Sequence, residues 1–285
     1  MTFSIVGYDP NTEELGVAVA SKFLAAGAYV PYAKAGVGAV ATQSFVNPHY
    51  GPDGLALMEQ GKNVDEVIQL LIEKDESKDL RQVGVVDAKG NTAIFTGKDC
   101  YHWAGGESGQ NFACQGNILT NDIVIPAMVK AFKIKGEPLA ERLVKALKAG
   151  EDAGGDSRGK QSAALLVVKE KGGYAGANDR YIDLRVDDDE NPIDKLAHQL
   201  FLHNLYFKPV DPQNILKVER ELKEKLISYL VQLKYIENSK VNDEVFFAAL
   251  QSFQLIENFE ERVQESGYID KLVVQYMDNL IQKVK

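Results

Sequence analysis

The start of the chain holds its strongest candidate for chemistry, a threonine directly after the initiator methionine. A small residue at this position is the context in which methionine aminopeptidase removes Met1. Removal would leave Thr2 with a free α-amino group, whose ordinary pKa of about 7.7–8.0 leaves an appreciable fraction neutral near pH 7. Because a neutral amine can take the proton of a neighbouring hydroxyl, we predict that Thr2 is a nucleophile that carries its own base.

Two lysines could assist this threonine. A nearby ammonium group lowers the pKa of a hydroxyl and of an amine by its charge. Lys34 ends a connection between short strands and could face the start of the first strand. Lys22 ends the strand that should pair with the first strand. We predict Lys34 as the catalytic lysine and keep Lys22 as the alternative.

A glycine-rich, charged loop at residues 150–160 is the second candidate region. Repeated glycines allow backbone N–H groups to turn towards an anion. A P-loop is excluded, because the Gly-Lys-Ser/Thr pattern is absent and the loop leads into a strand. The alternative is a tight link with solvated charges. Side chains that could orient the amine, relay a proton or bind substrate are Asp152, Asp156, Ser157, Arg158 and Ser162.

Four more polar residues complete the predicted substrate site. Gln43 and Ser44 lie late on the third predicted strand, where backbone donors could stabilise an oxyanion. His49 lies in the long turn that follows, and Asn117 ends a later strand. His, Cys and carboxylate residues lack the spacing of metal ligands. We therefore expect no metal and no other cofactor.

Composition excludes several functional classes. The 285-residue chain has a formal net charge of −9, which argues against binding a nucleic-acid backbone. No apolar run approaches the ~20 residues that span a bilayer, and no secretory signal opens the chain. Cys100 and Cys114 are too few for a disulfide framework. We predict a cytoplasmic protein with free thiols, no membrane partner and a small-molecule or peptide substrate.

Hairpins dominate the predicted elements of residues 1–207. Thr2–Asp9 and Leu15–Phe23 are strands joined by a turn that contains proline. Leu55–Glu73 is a helix in two pieces broken at Gly61, the second capped by Asn63. This order predicts an α+β fold with antiparallel sheets covered by helices, and a doubly wound parallel sheet is the second choice. We predict Gly27–Lys34 as a connection, Tyr101–Gly109 as an irregular loop, and Phe112–Gln115 as a strand.

A second domain is predicted at residues 208–285, and the segment at the boundary, residues 207–212, contains two prolines. Its apolar residues recur at helical spacing in three segments, Ile215–Gln232, Asp243–Glu261 and Ile269–Val284. This pattern predicts a small helical domain that carries no catalytic residue.

Four segments of the chain resemble a known family: Thr2–Val6, Gly16–Lys22, Gly36–Gln43 and Ala153–Val168. The family is an uncharacterised bacterial and archaeal one of the N-terminal-nucleophile (Ntn) hydrolase-like superfamily, and the resemblance covers roughly residues 1–205. It implies a four-layer αββα sandwich and a site at Thr2. The start is also similar to proteasome-type β subunits, in which a Gly-Ala-Tyr segment leads to a catalytic lysine, here Lys34. Such subunits carry an aspartate where this chain has Ala20–Lys22.

The C-terminal segment Leu233–Gln264 resembles a peptidoglycan-binding domain, with Phe246–Gln254 as the core motif. The resemblance implies a cell-wall fragment as a ligand, and an interaction or dimerisation module is the alternative. The residues together predict an Ntn-type amidohydrolase that uses Thr2 on a small amide or peptide bond. The other hypothesis is a non-catalytic ligand-binding or assembly protein on an Ntn-like scaffold. We expect a homo-oligomer in either case.

Overall fold

A computed structural model describes residues 2–284. The chain forms two compact units, and the division falls between Leu200 and Phe201, within a helix. No helix in the described residues is long and apolar enough to cross a bilayer.

The first unit is built from two antiparallel sheets. The six-stranded sheet has the order β10-β9-β2-β1-β8-β7, and the four-stranded sheet has the order β3-β4-β5-β6. The predicted antiparallel, hairpin-rich architecture is confirmed over a doubly wound parallel sheet. The strands of the first unit are β1 Thr2–Asp9, β2 Glu14–Ser21, β3 Pro31–Lys34, β4 Gly38–Ser44, β5 Arg81–Asp87, β6 Thr92–Thr96, β7 Gly105–Gly109, β8 Phe112–Asn117, β9 Ser162–Val168 and β10 Arg180–Val186. Its helices are α1 Tyr50–Glu59, α2 Val64–Glu73, α3 Val124–Phe132 and α4 Leu139–Asp152, together with the start of α5 Pro192–Phe207, whose residues from Phe201 onward belong to the second unit.

Both faces of β1 and β2 are buried, which explains why these strands are apolar at most positions. Successive side chains of a strand point to opposite faces. Ile5 therefore packs with Leu143 in the core against α3 and α4, whereas Val6 packs with Ala41 in the core between the sheets. A third core lies between α1, α2 and the outer face of the four-stranded sheet. The packing order is helices, six-stranded sheet, four-stranded sheet, helices.

The predicted break between α1 and α2 is confirmed. Gly61 has a φ of +85°, a left-handed conformation that glycine adopts without strain. The Asn63 side chain accepts a hydrogen bond from the Glu66 amide at 3.0 Å, and the Glu66 carboxylate accepts one from the Asn63 amide at 3.2 Å. This capping box satisfies two amides that have no partner inside the helix.

Two edge strands were missed by the sequence prediction. Pro31–Lys34, predicted as part of a connection, is β3, and Gly105–Gly109, predicted as irregular, is β7. Both lie at the edge of a sheet, and β7 is rich in glycine. Edge strands of this kind are half exposed and lack the buried apolar alternation by which strands are recognised. The strand β8 also runs two residues beyond its predicted end, to Asn117.

The second unit contains α6 Arg220–Gln232, α7 Asp243–Ile256 and α8 Lys271–Val284. The prediction that Ile215–Gln232 is one helix was wrong at its start. Ile215–Lys217 is strand β11, which pairs with strand β12, Tyr268–Asp270. The apolar residues of this short segment are compatible with a helix or a strand. Pairing with β12, which is distant in sequence, makes it a strand.

A buried ion pair lies within the second unit. Arg262 is 2 % exposed, and its guanidinium contacts the Asp270 carboxylate at 2.8 Å. The same guanidinium donates to the carbonyl groups of Asn204 and Leu205. Because a buried charge is tolerated only when it is paired and hydrogen-bonded, these contacts account for an arginine in the core.

Candidate functional site

Four strand ends of the six-stranded sheet lie side by side, and we call this group of strand ends the Thr2 edge. The register pairs Thr2 at the start of β1 with Asn117 at the end of β8. It also pairs Ser21 at the end of β2 with Ser162 at the start of β9. The end of β4 faces the same edge, because the Ser4 hydroxyl donates to Gln43 Oε1 across the two sheets at 2.6 Å. Thr2 therefore lies at the end of a central strand of one sheet, close to the end of β4 in the other sheet.

Thr2 is held by contacts to its side chain and its carbonyl group. Its side chain is buried, and Oγ1 lies 3.1 Å from the Ser21 hydroxyl oxygen. Its carbonyl oxygen accepts from Gln43 Nε2 at 3.3 Å and from Asn117 Nδ2 at 3.5 Å. The predicted removal of Met1 concerns a residue outside the described range. The described contacts fix both the hydroxyl group and the backbone of Thr2.

An amide cluster fills the space between the sheets beside Thr2; we define it as Gln43, Gln82, Gln115 and Asn117. All four side chains are buried. Gln82 Oε1 accepts from Gln43 Nε2 at 2.8 Å and from Asn117 Nδ2 at 3.0 Å. Gln115 Nε2 donates to the Ser4 hydroxyl at 2.6 Å. The cluster is neutral, so it orients groups by hydrogen bonds and adds no net charge.

A glycine makes room for this cluster. A Cβ atom placed on Gly84 would lie 2.1 Å from Gln115 Oε1. A side chain on β5 at this point would therefore displace the Gln115 carboxamide. Close approach between two layers is one of the reasons for glycine in a strand.

The glycine-rich loop is tied to the end of β2. Asp156 is buried, and its carboxylate accepts from the amides of Lys22 at 2.8 Å and Arg158 at 2.9 Å. The Ser162 hydroxyl donates to the Phe23 carbonyl at 2.6 Å. The Lys22 ammonium donates to a loop carbonyl at 3.2 Å. Asp156 and Ser162 thus fix the backbone next to Ser21, the residue that contacts the Thr2 hydroxyl.

A cavity of about 100 Å³ opens between this loop and the strand ends. Gly154, Gly155 and Gly159 border it with φ values of +122°, +54° and +107°. These conformations favour glycine and let the loop turn tightly around the cavity. Polar side chains in its wall are Ser21, Glu151, Asp156, Lys160 and Ser162.

The structure does not bring Lys34 to Thr2. The Lys34 ammonium pairs with the Glu59 carboxylate at 2.5 Å, and both side chains are about half exposed. Lys34 is opposite Gly38, at the far end of β4 from Gln43. Gly38 and Gln43 are five positions apart along the strand, which is about 17 Å at 3.3–3.4 Å per residue. Of the two predicted lysines, Lys22 is the one at the Thr2 edge.

Three further predicted residues belong neither to the amide cluster nor to the wall of the cavity at the glycine-rich loop. Asp152, at the end of α4, is 63 % exposed and pairs with Lys148 at 3.3 Å. Ser44 ends β4 with a φ of +70°. His49 is exposed, and it lines a different cavity of about 570 Å³ beside Asp75. Among the described residues, no three or more His, Cys, Asp or Glu side chains are grouped to hold a metal ion.

The Asp75 carboxylate belongs to a structural cluster. It accepts from Arg81 Nε at 2.8 Å, from the Tyr50 hydroxyl at 2.9 Å and from Asn47 Nδ2 at 3.0 Å. The Arg81 hydrogen bonds hold the pKa of Asp75 well below its usual range. Burial and the bond to Asp75 raise the pKa of Tyr50 well above its usual value. These contacts fasten the segment between β4 and α1 to the start of β5.

Sequence reasoning missed Ser21, Gln82 and Gln115 as members of the site. These residues could have been recognised as polar residues on a strand face that is otherwise apolar and therefore buried. Gln115 follows Ala113 on the face between the sheets, and Gln82 precedes Gly84 on the facing strand. Two of the predicted substrate residues, Gln43 and Asn117, do lie beside Thr2.

Comparisons with known proteins agree with this division of the chain. Residues 206–277 match a family described as "Putative peptidoglycan binding domain". The crystal structure of protein SPO2555 from Silicibacter pomeroyi, described as a DUF1028 protein, has a TM-score of 0.65 at 27% identity and covers 79% of this chain and 89% of that chain. Anbu (ancestral beta-subunit) from Yersinia bercovieri has a TM-score of 0.34 at 11% identity, covering 70% of this chain and 93% of that chain. No curated protein matches the chain. Residues 2–196 match the model of a family of unknown function, DUF1028, and the chain belongs to that family.

Proposed function

We propose that the protein is an Ntn-type amidohydrolase that uses Thr2, after removal of Met1, on a small amide or peptide bond. One observation carries the proposal. The buried Thr2 hydroxyl lies 3.1 Å from the Ser21 hydroxyl, beside the neutral amide cluster, and Ser21 also lines the cavity at the glycine-rich loop. Buried polar groups are costly to fold, so such a concentration around one threonine favours a functional site.

The reaction follows from a hydroxyl and an amine on one residue. The Thr2 oxygen attacks the carbonyl carbon of the amide, and its proton passes to the α-amino group. The resulting ammonium gives the proton to the leaving nitrogen as the C–N bond breaks, which leaves an ester on Thr2. Water then attacks this ester with the same amine as base. The products are a carboxylic acid and an amine.

The surrounding groups have positioning roles in this scheme. The Ser21 hydroxyl orients the Thr2 hydroxyl, and Asp156 and Ser162 hold the backbone beside Ser21. Lys22 supplies positive charge at this edge, the role that the sequence assigns first to Lys34. The loop amides near Arg158 and the end of β4 are the candidate sites for the substrate carbonyl oxygen. The order of helices and sheets in the first unit supports assignment of the fold to the four-layer Ntn sandwich.

A β-lactone probe tests the proposal, because it forms an ester with a reactive hydroxyl. We expect labelling of the full-length protein at Thr2, located by peptide mapping. A Thr2→Ser variant keeps a hydroxyl and should be labelled, whereas Thr2→Ala should not. Labelling that persists in Thr2→Ala, at another residue, would contradict the proposal.

For the second unit we propose binding of a cell-wall fragment. The support is the family match over residues 206–277. Co-sedimentation of the full-length protein with purified peptidoglycan sacculi tests this role, with sacculi-free centrifugation as the control. Protein that stays in the supernatant at every concentration of sacculi would refute it.

A further inference from the structure

The side chain of Asn117 has one polar atom that forms hydrogen bonds and one that forms none in the described structure. Asn117 is 1 % exposed. Its Nδ2 donates to Gln82 Oε1 at 3.0 Å and, at 3.5 Å, to the Thr2 carbonyl oxygen. Its Oδ1 is buried and accepts no hydrogen bond in the described structure. Leaving a buried acceptor unpaired costs about 1–3 kcal/mol, so this atom needs a donor.

The position of Asn117 indicates which donor this is. The register pairs Asn117 directly with Thr2 across β8 and β1. Residues directly opposite in an antiparallel pair have Cβ atoms about 4.5–5.5 Å apart. Removal of Met1 converts the backbone nitrogen of Thr2, which carries one N–H as an amide, into an amine with additional N–H groups. Processing therefore creates new donors beside a buried acceptor that lacks one.

We infer that Asn117 is a positioning residue, whose Oδ1 accepts a hydrogen bond from the α-amino group of processed Thr2. This inference rests on the proposed function. The Asn117 carboxamide would hold the amine nitrogen so that its lone pair faces the Thr2 hydroxyl. Gln82 fixes the carboxamide orientation through the bond from Asn117 Nδ2, and Gln43 fixes the Thr2 carbonyl.

A neutral acceptor suits this task. A carboxylate at position 117 would stabilise the ammonium form of the amine and raise its pKa, which would leave less free base at neutral pH. The amide cluster around Thr2 has no titratable group. The titratable and charged groups on the elements around this edge include Lys22, Arg81, Cys100, Glu151, Asp156, Arg158 and Lys160.

The test measures the rate of β-lactone labelling at Thr2 against pH in full-length variants. For Asn117→Leu we expect labelling at least tenfold slower at every pH. For Asn117→Asp, which keeps the size of the side chain, we expect the pH at which labelling is half-maximal to move upward. Asn191→Leu replaces an exposed asparagine and serves as the matched control, with wild-type rates expected. Because the other titratable groups are the same in each variant, a shift in the profile reports on position 117.

The outcomes separate this inference from the proposed function. Asn117→Leu labelled within twofold of the wild-type rate, or an unshifted profile in Asn117→Asp, would overturn the role of Asn117 and leave the proposed function in place. A wild-type protein that is not labelled at Thr2 would overturn both. Should Asn117→Leu fail to fold, the profile of Asn117→Asp decides alone.

Discussion

The layer between the two sheets has an apolar half and a polar half. At one end Val6, Val17 and Val86 belong to a hydrophobic core. At the other end, continuing along the same strands, Ser4 and the amide cluster fill the same layer. Apolar burial stabilises the fold by about 25 cal/mol per Å², whereas a hydrogen bond of a buried amide contributes about 0.5–1.5 kcal/mol and an unpaired amide group costs about 1–3 kcal/mol. Under the proposed function, the polar half is the part of the layer that serves Thr2.

Introducing a polar group into the apolar half should have the largest effect on stability. Val17→Asn loses the burial of a valine, about 1.5–3 kcal/mol, and leaves an amide unpaired, about 1–3 kcal/mol. We expect a decrease of about 2.5–6 kcal/mol in the free energy of unfolding, measured with urea. Ile134→Asn, at a position 58 % exposed, is the control and should change it by about 0.5 kcal/mol or less. A loss below 1 kcal/mol in Val17→Asn would show that the two halves do not differ.

Removing polar groups from the polar half should lower the free energy of unfolding by a smaller amount and slow the reaction of Thr2. In Gln82→Leu the donors of Gln43 and Asn117 lose their shared acceptor, and the Gly116 carbonyl loses a donor at 2.8 Å. We expect a loss of about 2–3 kcal/mol, since each unpaired group costs about 1–3 kcal/mol and the site can partly relax. Labelling at Thr2 should slow at least tenfold. Gln110→Leu, an exposed glutamine, should change neither quantity. Unchanged labelling in Gln82→Leu would separate the cluster from the chemistry.

The Asp75–Arg81 pair provides a charged polar site for comparison with the neutral cluster. The folded pKa of Asp75 lies below its unfolded value, because Arg81 hydrogen bonds favour the carboxylate. Its contribution to stability is therefore present above the unfolded pKa of about 3.9 and is lost as the pH falls towards the folded pKa. We expect Asp75→Asn to be less stable than wild type at pH 7 and to lose less stability between pH 4 and pH 2. Urea unfolding at several pH values measures this.

The stability difference caused by Gln82→Leu should stay constant over the same pH range, because the amide cluster has no titratable group. A pH-dependent difference would place an ionisable group in contact with the cluster.

The smallest effect is expected at Lys34. Its ion pair with Glu59 is about half exposed, and such pairs contribute about 0–1 kcal/mol. Lys34→Met should therefore change stability by less than about 1 kcal/mol and leave the labelling rate of Thr2 unchanged. Lys22→Met should slow labelling, because it removes positive charge from the Thr2 edge. The opposite ranking of the two lysines would restore Lys34 to the site.

The central elements of the fold could be predicted from the sequence because their signals are local. The apolar strands Thr2–Asp9 and Leu15–Phe23 flank a turn with proline, and Asn63 with Glu66 is a complete capping box. The edge strands β3 and β7 could not be predicted, since they pair through backbone hydrogen bonds and bury little apolar surface. The same holds for β11, which is defined by its partner β12.

The candidate site could be predicted where it depends on the position of one residue in the chain, and not where it depends on the register between strands. Thr2 follows from its position after Met1, and Asp156 from its glycine-rich loop. The choice between Lys34 and Lys22 depended on which end of β4 faces Thr2, and spacing along the chain does not determine this. Ser21 became a contact of Thr2 only through the pairing of β1 with β2. Gln82 joined the site from a separate sheet.

The most direct test of the central claim is the intact mass of the full-length protein before and after reaction with a peptidyl epoxyketone. This probe forms a ring with a hydroxyl and an amine on the same residue, so it reacts only if Thr2 has both a reactive hydroxyl and a free α-amino group. We predict a starting mass that is lower than that of the full sequence by one methionine residue, the addition of one probe molecule, and mapping of that probe to Thr2. A protein that retains Met1, or that lacks Met1 and adds no probe, would contradict it.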